Sequence, residues 1–368
     1  MTNTFEILQI MGKEDPVTSL LSRAINESPA FQDMFLDHIG VHLKEVLDVC
    51  ARPSVKGGTP DLAIAGRSAA GDVLILVENK LRAGEGGTQT ERYAARAVHD
   101  QLKKRLELQA SARTELVLLT LFEEKPRSAE FKHRTYEDLA VRWKRRAAGQ
   151  ASPVTRLLDD WFELVDEFYE SAAWGPNDEL IAKLGQNSAL DSGFLCFRGW
   201  TKGIVWGARL KPQNFFRSSQ RGRRTYGMRV TKPAWEPGRM EIVTGGTTPM
   251  EPRRDISIHF EPQFDVLNRV LKFDLHYEPN PYKTVKWMKK HVRTEVYEAY
   301  QRQRTTFQSE LKKALPEGWK LSGRSNQVAN FPLRMEGLSA GDAAKAVASA
   351  VRPMEAVVDQ LLQELKII

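Results

Sequence analysis

Two acidic residues and one lysine lie at the ends of two neighbouring apolar runs of the chain. Asp61 opens the run Asp61–Ala65, and Glu78 and Lys80 come directly after the run Val73–Val77. Carboxylates brought side by side raise each other's pKa unless a cation neutralises them. Mg²⁺ does this in proteins, binding one or two carboxylates together with waters and phosphate oxygens. The three side chains are therefore suited to metal-assisted hydrolysis of a phosphodiester.

A β-hairpin would bring these side chains together. Val73–Val77 is apolar without alternation, which predicts a strand buried on both faces. The run Asp61–Ala65 is also strand-like, and Gly66–Gly71 is predicted to form the turn between the two strands. Paired strands lie about 4.8 Å apart, so Asp61, entering the first strand, would meet Glu78, leaving the second.

The three residues that follow the buried run divide between two faces. Side chains alternate along a strand, so Glu78 and Lys80 point to one face and Asn79 to the other. An acid and an amine on one face can handle an ion if that face is open. The alternative is an exposed ion pair at a strand end.

A helix predicted from about Thr88 to Leu108 follows the hairpin. Gln89 and Tyr93 are four residues apart and would share a face near its N-terminus. That end of a helix attracts anionic phosphate. The alternative interpretation of the two residues is a polar pair at the edge of a packing helix.

The pattern Pro60-Asp61 followed by Glu78-Asn79-Lys80 resembles the signature of the PD-(D/E)xK nuclease superfamily. Gly58, three residues before the aspartate, is similar to the GxxD opening of that family. The stretch from Gln89 to Tyr93 resembles the QxxxY motif of its RecB-like members. The resemblance covers roughly residues 10–170.

The resemblance implies a restriction-endonuclease-like α/β fold, which is a mixed sheet flanked by helices. It also implies Mg²⁺-dependent cleavage of DNA, with Mn²⁺ able to substitute. By position, the metal ligands would be the carboxylates of Asp61 and Glu78 and the backbone carbonyl of Asn79. Lys80 would orient or activate the attacking water. Two residues of the next helix would steady the site and an acid of the first helix would assist: Gln89, Tyr93 and Glu14.

The length of 368 residues predicts two domains. We expect the nuclease domain at 1–172 and a basic α+β domain at 177–368, joined by a linker at Ser171–Asn177. Residues 1–170 hold 23 Lys and Arg against 27 Asp and Glu, whereas the remainder holds 31 against 20. The basic half suggests a polyanionic partner, most simply nucleic acid.

The second half is predicted to contain several strands, one long helix and a final helix. The long helix is expected at Tyr282–Leu315 and a further strand at Phe331–Met335. The earlier strands are expected at Gly203–Leu210, Tyr226–Thr231, Met240–Thr244, Asp255–Phe260 and Leu271–Tyr277. The pattern favours a sheet with helices on one face.

Two basic clusters in this half are candidate contacts for nucleic acid. One mixes arginines and aromatics between Phe215 and Tyr226, in a segment predicted to be a loop, where arginine can pair with phosphate and stack on bases. The other lies near the start of the long helix. Their members are Arg217, Arg221, Arg223 and Arg224 in the loop and Lys286, Lys289 and Lys290 on the helix. A solvated basic surface without a partner is the alternative.

The remaining composition favours a cytoplasmic protein. Cys50 and Cys196 stand far apart, which argues against a disulfide framework. The N-terminal residues carry charges where a secretory leader would be apolar, and no apolar run approaches the roughly 20 residues that span a bilayer.

The main hypothesis is a metal-dependent deoxyribonuclease, most simply an endonuclease, with a DNA-binding, sensing or dimerising second domain. Cutting both strands of a duplex needs two active sites, so a homodimer is expected, and defence, restriction or repair are the expected roles. The alternatives are a catalytically silent nucleic-acid-binding module and a nuclease held off until a partner or ligand binds. RNA stays open as a substrate, because backbone hydrolysis does not distinguish the sugars.

Overall fold

Two β-sheets organise the chain, one in each half. The computed structural model describes residues 3–81, 88–146, 152–185, 190–220, 223–324 and 326–367. It divides into two units, Met1–Ser171 with Asn187–Ser192, and Ala172–Gln186 with Gly193–Ile368. The fold is mixed α/β, with a five-stranded mixed sheet flanked by helices in the first unit and an antiparallel sheet in the second.

The sheet of the first unit has its most buried strand at the centre. Its strands, in chain order and in spatial order, are β1 (Glu45–Ala51), β2 (Leu62–Ser68), β3 (Gly71–Lys80), β4 (Arg113–Thr120) and β5 (Phe131–Thr135). β1, β2 and β3 pair antiparallel, whereas β3, β4 and β5 pair parallel. Every residue of β3 from Val73 to Lys80 is buried, as its unbroken apolar run predicts.

The hairpin turn is tighter than the sequence predicted. β2 continues through Gly66 to Ser68, so the turn lies between Ser68 and Gly71 and the expectation of a turn over Gly66–Gly71 was wrong. Gly66 serves close packing instead, because a Cβ there would lie 2.4 Å from a methyl of Leu43. Gly71 has a φ of 116°, which suits glycine and closes the turn.

The helix predicted over Thr88–Leu108 is two helices. The imidazole Nε2 of His99 lies 2.7 Å from the Tyr93 carbonyl oxygen, where a backbone N–H would bind in a continuous helix. Ala95 is extended and separates the two segments. The helices of the first unit are α1 (Thr4–Ile7), α2 (Glu14–Glu27), α3 (Pro29–Ile39), α4 (Gln89–Tyr93), α5 (Arg96–Arg105), α6 (Tyr136–Lys144) and α7 (Pro153–Ala172).

The sheet of the second unit is antiparallel throughout. Its strands are β6 (Lys211–Gln220), β7 (Arg223–Thr231), β8 (Ile256–Asp265), β9 (Val270–Pro279), β10 (Lys320–Leu321) and β11 (Gln327–Arg334). The spatial order is β10-β11-β9-β8-β7-β6. The helices are α8 (Leu180–Leu184), α9 (Ser192–Lys202), α10 (Val285–His291), α11 (Thr294–Lys313) and α12 (Ala340–Glu364).

Two predicted strands and the predicted long helix of the second half were wrong. Gly203–Leu210 and Met240–Thr244 form no strand, and the Met240 N–H instead bonds the Asn280 carbonyl. The long helix is interrupted at Val292, whose backbone is extended, and the His291 carbonyl accepts from the Thr248 N–H.

In the part of the chain that the structure describes, no helix is long and apolar enough to cross a membrane.

Candidate active site

The register of the β2–β3 hairpin brings Asp61 beside Glu78. Leu62 pairs with Val77, so Asp61, which precedes Leu62, is a neighbour of Glu78, which follows Val77. The Asn79 N–H donates to Asp61 Oδ2 at 2.8 Å, which fixes the aspartate at the end of β3. The two carboxylates thus lie on adjacent strands at one edge of the central strand.

Lys80 joins three carboxylates from three parts of the chain. Its Nζ lies 2.7 Å from Glu78 Oε1, 3.2 Å from Glu14 Oε2 and 3.7 Å from Asp61 Oδ2. Glu78 is only 1% exposed, whereas the Glu14 side chain is 27% exposed. The cluster therefore runs from the buried interior to the protein surface.

Glu14 reaches the cluster because α2 packs against the sheet. It is the first residue of α2, and this helix contacts β1 and β3. The Leu81 N–H donates to Glu14 Oε1 at 3.2 Å, so the carboxylate bridges the backbone and the ammonium group at the end of β3. The structure thus places Glu14, at the start of α2, among the other site residues.

Asn79 points away from the carboxylates, as strand alternation requires. Its Nδ2 donates to Thr18 Oγ1 at 3.1 Å, and the hydroxyl of Tyr136 donates to its Oδ1 at 2.8 Å. These two bonds tie the end of β3 to α2 and α6. The sequence alone did not single out Thr18 or Tyr136, because each is an ordinary residue on an amphipathic helix.

The ionisation of the cluster is strongly shifted. Burial, followed by the nearby Asp61 carboxylate, raises the pKa of Glu78 to about 8. Burial also raises the pKa of Asp61, and Lys80 and the Asn79 N–H only partly offset it. For Lys80, burial favours the neutral amine, but the surrounding carboxylates outweigh it and raise the pKa. Lys80 is consequently a cation at neutral pH.

Glu78 is a buried carboxylate that shares its neighbouring cation with other acids. Among the described residues, the one cation within 4 Å of its oxygens is Lys80, whose Nζ lies 2.7 Å from Oε1 and which also faces Asp61 and Glu14. Buried charges are normally paired and hydrogen-bonded, or bind metal. A buried carboxylate that shares one lysine with a neighbouring carboxylate fits a divalent cation held by Glu78 and Asp61.

Gln89 and Tyr93 lie on α4, downstream of the hairpin. Tyr93 is buried, and its ring packs on Gly58, where a Cβ would lie 2.8 Å from Tyr93 Cε1. Gly58 has a φ of 142°, so this contact depends on glycine. Among the residues that the structure describes, no hydrogen bond or ion pair links Gln89 or Tyr93 to the carboxylate cluster.

Arg217, Arg223 and Arg224 lie on the strands β6 and β7, so the prediction of a loop for this segment was wrong. Arg217 on β6 pairs with Tyr226 on β7, and Arg224 lies two residues from Tyr226 on the same face. Arg221 lies outside the described residues, as does the side chain of Arg223. The three lysines of the second cluster are exposed on α10: Lys286, Lys289 and Lys290.

Comparisons of the chain with models of known protein families, with curated proteins and with solved structures find no match. The residues of the carboxylate cluster and their surroundings are therefore the basis for assigning a function.

Proposed function

We propose that the protein is a metal-dependent nuclease whose active site is the cluster around Lys80. The observation that carries the proposal is the convergence of Glu14, Asp61 and Glu78 on one lysine, with the Glu78 carboxylate almost fully buried. A surface ion pair would not need three acids around one amine. A site for a divalent cation does need that excess of negative charge, and the positive group beside it can face the phosphate.

The site residues divide the chemistry between them. The carboxylates of Asp61 and Glu78, with the Asn79 carbonyl, would hold Mg²⁺ or Mn²⁺, which supplies charge neutralisation at the phosphate and a lowered pKa for the attacking water. Lys80, held cationic by its neighbours, orients that water or stabilises the developing negative charge. Glu14 restrains the lysine through its 3.2 Å contact.

The fold that supports this chemistry is restriction-endonuclease-like in our proposal. An antiparallel hairpin delivers Asp61 and Glu78 from adjacent strands, and β4 and β5 extend the same sheet in parallel. Helix α2 adds its N-terminal acid to the strand ends. These features agree with the resemblance carried by the Pro60-Asp61 and Glu78-Asn79-Lys80 motifs.

DNA is the favoured substrate and the second unit its further contact. That half of the chain carries the net positive charge, and Arg217, Arg224 and the α10 lysines offer groups for phosphate. A homodimer would supply the second active site for cutting a duplex. Defence against foreign DNA, restriction or repair is the role we infer for such an enzyme.

The test is cleavage of plasmid, linear duplex, single-stranded DNA and RNA in Mg²⁺, Mn²⁺ or EDTA. We expect metal-dependent cleavage that falls at least about 100-fold in Lys80→Ala, because an electrostatic stabiliser of the transition state is removed. Glu78→Gln should be equally impaired. The matched controls are Lys132→Ala and Glu115→Gln, which break a 2.6 Å ion pair on the same sheet and should retain activity.

Full activity in Lys80→Ala would overturn the assignment. Binding of nucleic acid without cleavage under any condition would instead favour the silent binding module or a nuclease awaiting its activator. Activity on RNA alone would keep the mechanism and change the substrate.

A further inference from the structure

A buried polar row crosses two central strands of the second sheet, which belongs to the unit without the proposed nuclease site. His259 on β8 pairs directly with His276 on β9, and their rings stack with centroids 5.0 Å apart. Glu278 follows His276 by two residues and shares its face. All three residues are buried, with side chains no more than 4% exposed.

The three side chains are spaced as ligands of one metal ion. Their ligand atoms all lie within 4.8 Å of one another. His259 Nε2 is 3.6 Å from Glu278 Oε1, and His276 Nδ1 is 3.5 Å from Glu278 Oε2. Two ligands bound at about 2.1 Å to a tetrahedral zinc are roughly 3.4 Å apart. Little movement would therefore close these side chains on an ion.

Two nitrogens of the row are unsatisfied. Among the described residues, neither His259 Nε2 nor His276 Nε2 has a hydrogen-bond partner, although both atoms are buried. A buried nitrogen without a partner costs on the order of 1–3 kcal/mol, so the fold keeps these two atoms at a cost. The other nitrogen of His276, Nδ1, lies 3.4 Å from Asn326 Nδ2. Coordination of one cation would satisfy a histidine nitrogen in the same way that a hydrogen bond does.

The surroundings set the tautomer of His259. The Ser257 hydroxyl donates its single hydrogen to Glu236 Oε1 at 2.5 Å. The Ser257 oxygen, 3.0 Å from His259 Nδ1, must therefore accept the Nδ1 hydrogen. The lone pair of His259 is then on Nε2, the atom that faces Glu278. A carboxylate that orients a metal-binding histidine through its other nitrogen is the usual outer support of a metal site.

The charges around the row also favour a cation. Three carboxylates contact the histidines or the Ser257 hydroxyl that bonds His259, whereas one cation pairs with these acids within 4 Å, leaving two negative charges. The acids are Glu236, Glu261 and Glu278, and the cation is Arg229. Arg229 takes Glu278 Oε1 at 2.9 Å, so Oε2 stays available to a metal.

We propose that His259, His276 and Glu278 bind one divalent transition-metal ion, with zinc favoured. Imidazole ligands suit zinc and its neighbours in the periodic table, whereas Mg²⁺ prefers oxygen ligands alone. Glu261, whose Oε2 is 3.9 Å from His259 Nε2, or a water would complete the coordination. Because the side chains are buried on two paired strands, the ion braces the sheet and is distinct from the Mg²⁺ of the proposed nuclease site.

The test is zinc and cobalt binding to the full chain after metal removal. We expect one zinc per chain by metal analysis, and visible absorption bands of tetrahedral Co²⁺ that zinc displaces. His259→Gln and Glu278→Gln should abolish both signals, and Ser257→Ala should weaken binding about 10–100-fold, as removal of an outer support does. Two variants serve as controls and should bind normally: His42→Gln, which changes an exposed histidine, and Glu78→Gln, which changes the nuclease site.

X-ray absorption of the zinc-loaded wild type keeps the proposal testable if a variant does not fold. Two imidazole rings and oxygen around zinc would support it, whereas a sulfur ligand would contradict it. The proposal also fails if zinc does not bind, or if the His259→Gln chain binds it as well as the wild type. Loss of zinc in Glu78→Gln alone would assign the ion to the nuclease site.

Discussion

At the scale of single residues, Glu78 is a buried carboxylate whose neighbours compensate its charge only in part. Its carboxylate is 1% exposed, it shares Lys80 with Asp61 and Glu14, and its pKa is raised to about 8. An acid whose folded-state pKa is raised favours folding when it is protonated. The contribution of Glu78 to the free energy of unfolding is therefore least unfavourable below its unfolded pKa of about 4.5. It becomes more destabilising as pH rises toward 8.

Glu78→Gln should therefore stabilise the metal-free protein at high pH. In EDTA at pH 8 we expect a higher unfolding midpoint than that of the wild type, because a neutral amide replaces a poorly solvated charge. At pH 5 the difference should shrink, since Glu78 is then protonated in the folded wild type. Thermal unfolding across this pH range measures the effect, and Glu115→Gln, which removes an acid paired with Lys132, should give no such gain.

Addition of Mg²⁺ at pH 8 should make the wild type more stable than Glu78→Gln. A ligand that binds only the folded state adds about 2.7 kcal/mol at a concentration 100 times its dissociation constant. The wild type should gain this stabilisation at pH 8, whereas Glu78→Gln should gain much less. A variant less stable than the wild type at every pH in EDTA would contradict a destabilising role for the Glu78 charge.

At the scale of elements, the sequence predicted the hairpin and missed what supports it. The unbroken apolar run of β3 and the polar residues after it are local signals, so the pairing of Asp61 with Glu78 followed directly. The edge strands β1 and β5 are short or partly exposed and carry no comparable signal.

Other features depend on contacts between distant parts of the chain, which local patterns do not contain. The hydrogen bond to Asn79 Oδ1, for example, comes from Tyr136, 57 residues away. The polar row on β8 and β9 was hidden because histidines alternating with apolar residues also fit an ordinary half-buried strand. The facing of His259 and His276 depends on strand register.

Tyr136→Phe tests the support that α6 gives to the end of β3. Removing the hydroxyl leaves Asn79 Oδ1 without its donor and should cost about 1–3 kcal/mol of unfolding free energy. Cleavage should fall as well, because Asn79 lies between two site residues. Tyr169→Phe is the control: it removes a 2.5 Å bond to the Leu121 carbonyl, so it should lower stability and spare kcat. Equal kcat for both variants and the wild type would exclude a positioning role for Tyr136.

Gly58→Ala tests the contact between the segment before β2 and α4. Alanine would meet both an unfavourable φ of 142° and the ring of Tyr93 at 2.8 Å, so we expect a loss of about 1–3 kcal/mol. Gly71→Ala is matched in having a positive φ, but no atom lies within 4 Å of its Cβ. It should cost less, about 1 kcal/mol. Denaturant unfolding distinguishes the two, and equal losses would show that Tyr93 yields without cost.

At the scale of the whole molecule, the charge is divided between a mildly acidic half and a basic half. Residues 1–170 hold 23 basic and 27 acidic side chains, and the remainder holds 31 and 20. A nuclease needs an acidic pocket for its metal, but the same charge repels the phosphate backbone. In the nuclease that we propose, positive charge in the other half would reconcile these two needs, since counterion release on binding would then come from the basic residues of that half.

Substitution of the α10 lysines tests whether the basic half of the chain contacts DNA. Replacing Lys286, Lys289 and Lys290 by alanine should weaken DNA binding and reduce the slope of its salt dependence by about 0.9 for each phosphate that no longer has a lysine partner. The expected total is up to about 2.7, with little change in the preference among DNA sequences. DNA binding is measured by fluorescence anisotropy from low to moderate salt. The lysine substitutions are made in the Lys80→Ala variant, so that cleavage does not affect the measured affinity.

The control removes the same charge from another place in that half. Lys312, Lys313 and Lys320 are exposed, and their triple alanine variant lowers the net charge equally. If α10 binds phosphate, only the α10 variant lowers the slope, because a released counterion needs a lysine at the phosphate itself. If both variants weaken binding alike with unchanged slopes, the basic half acts only through its long-range field, and the DNA-binding surface must lie elsewhere, with the β6–β7 hairpin and its Arg217 and Arg224 as the next candidate.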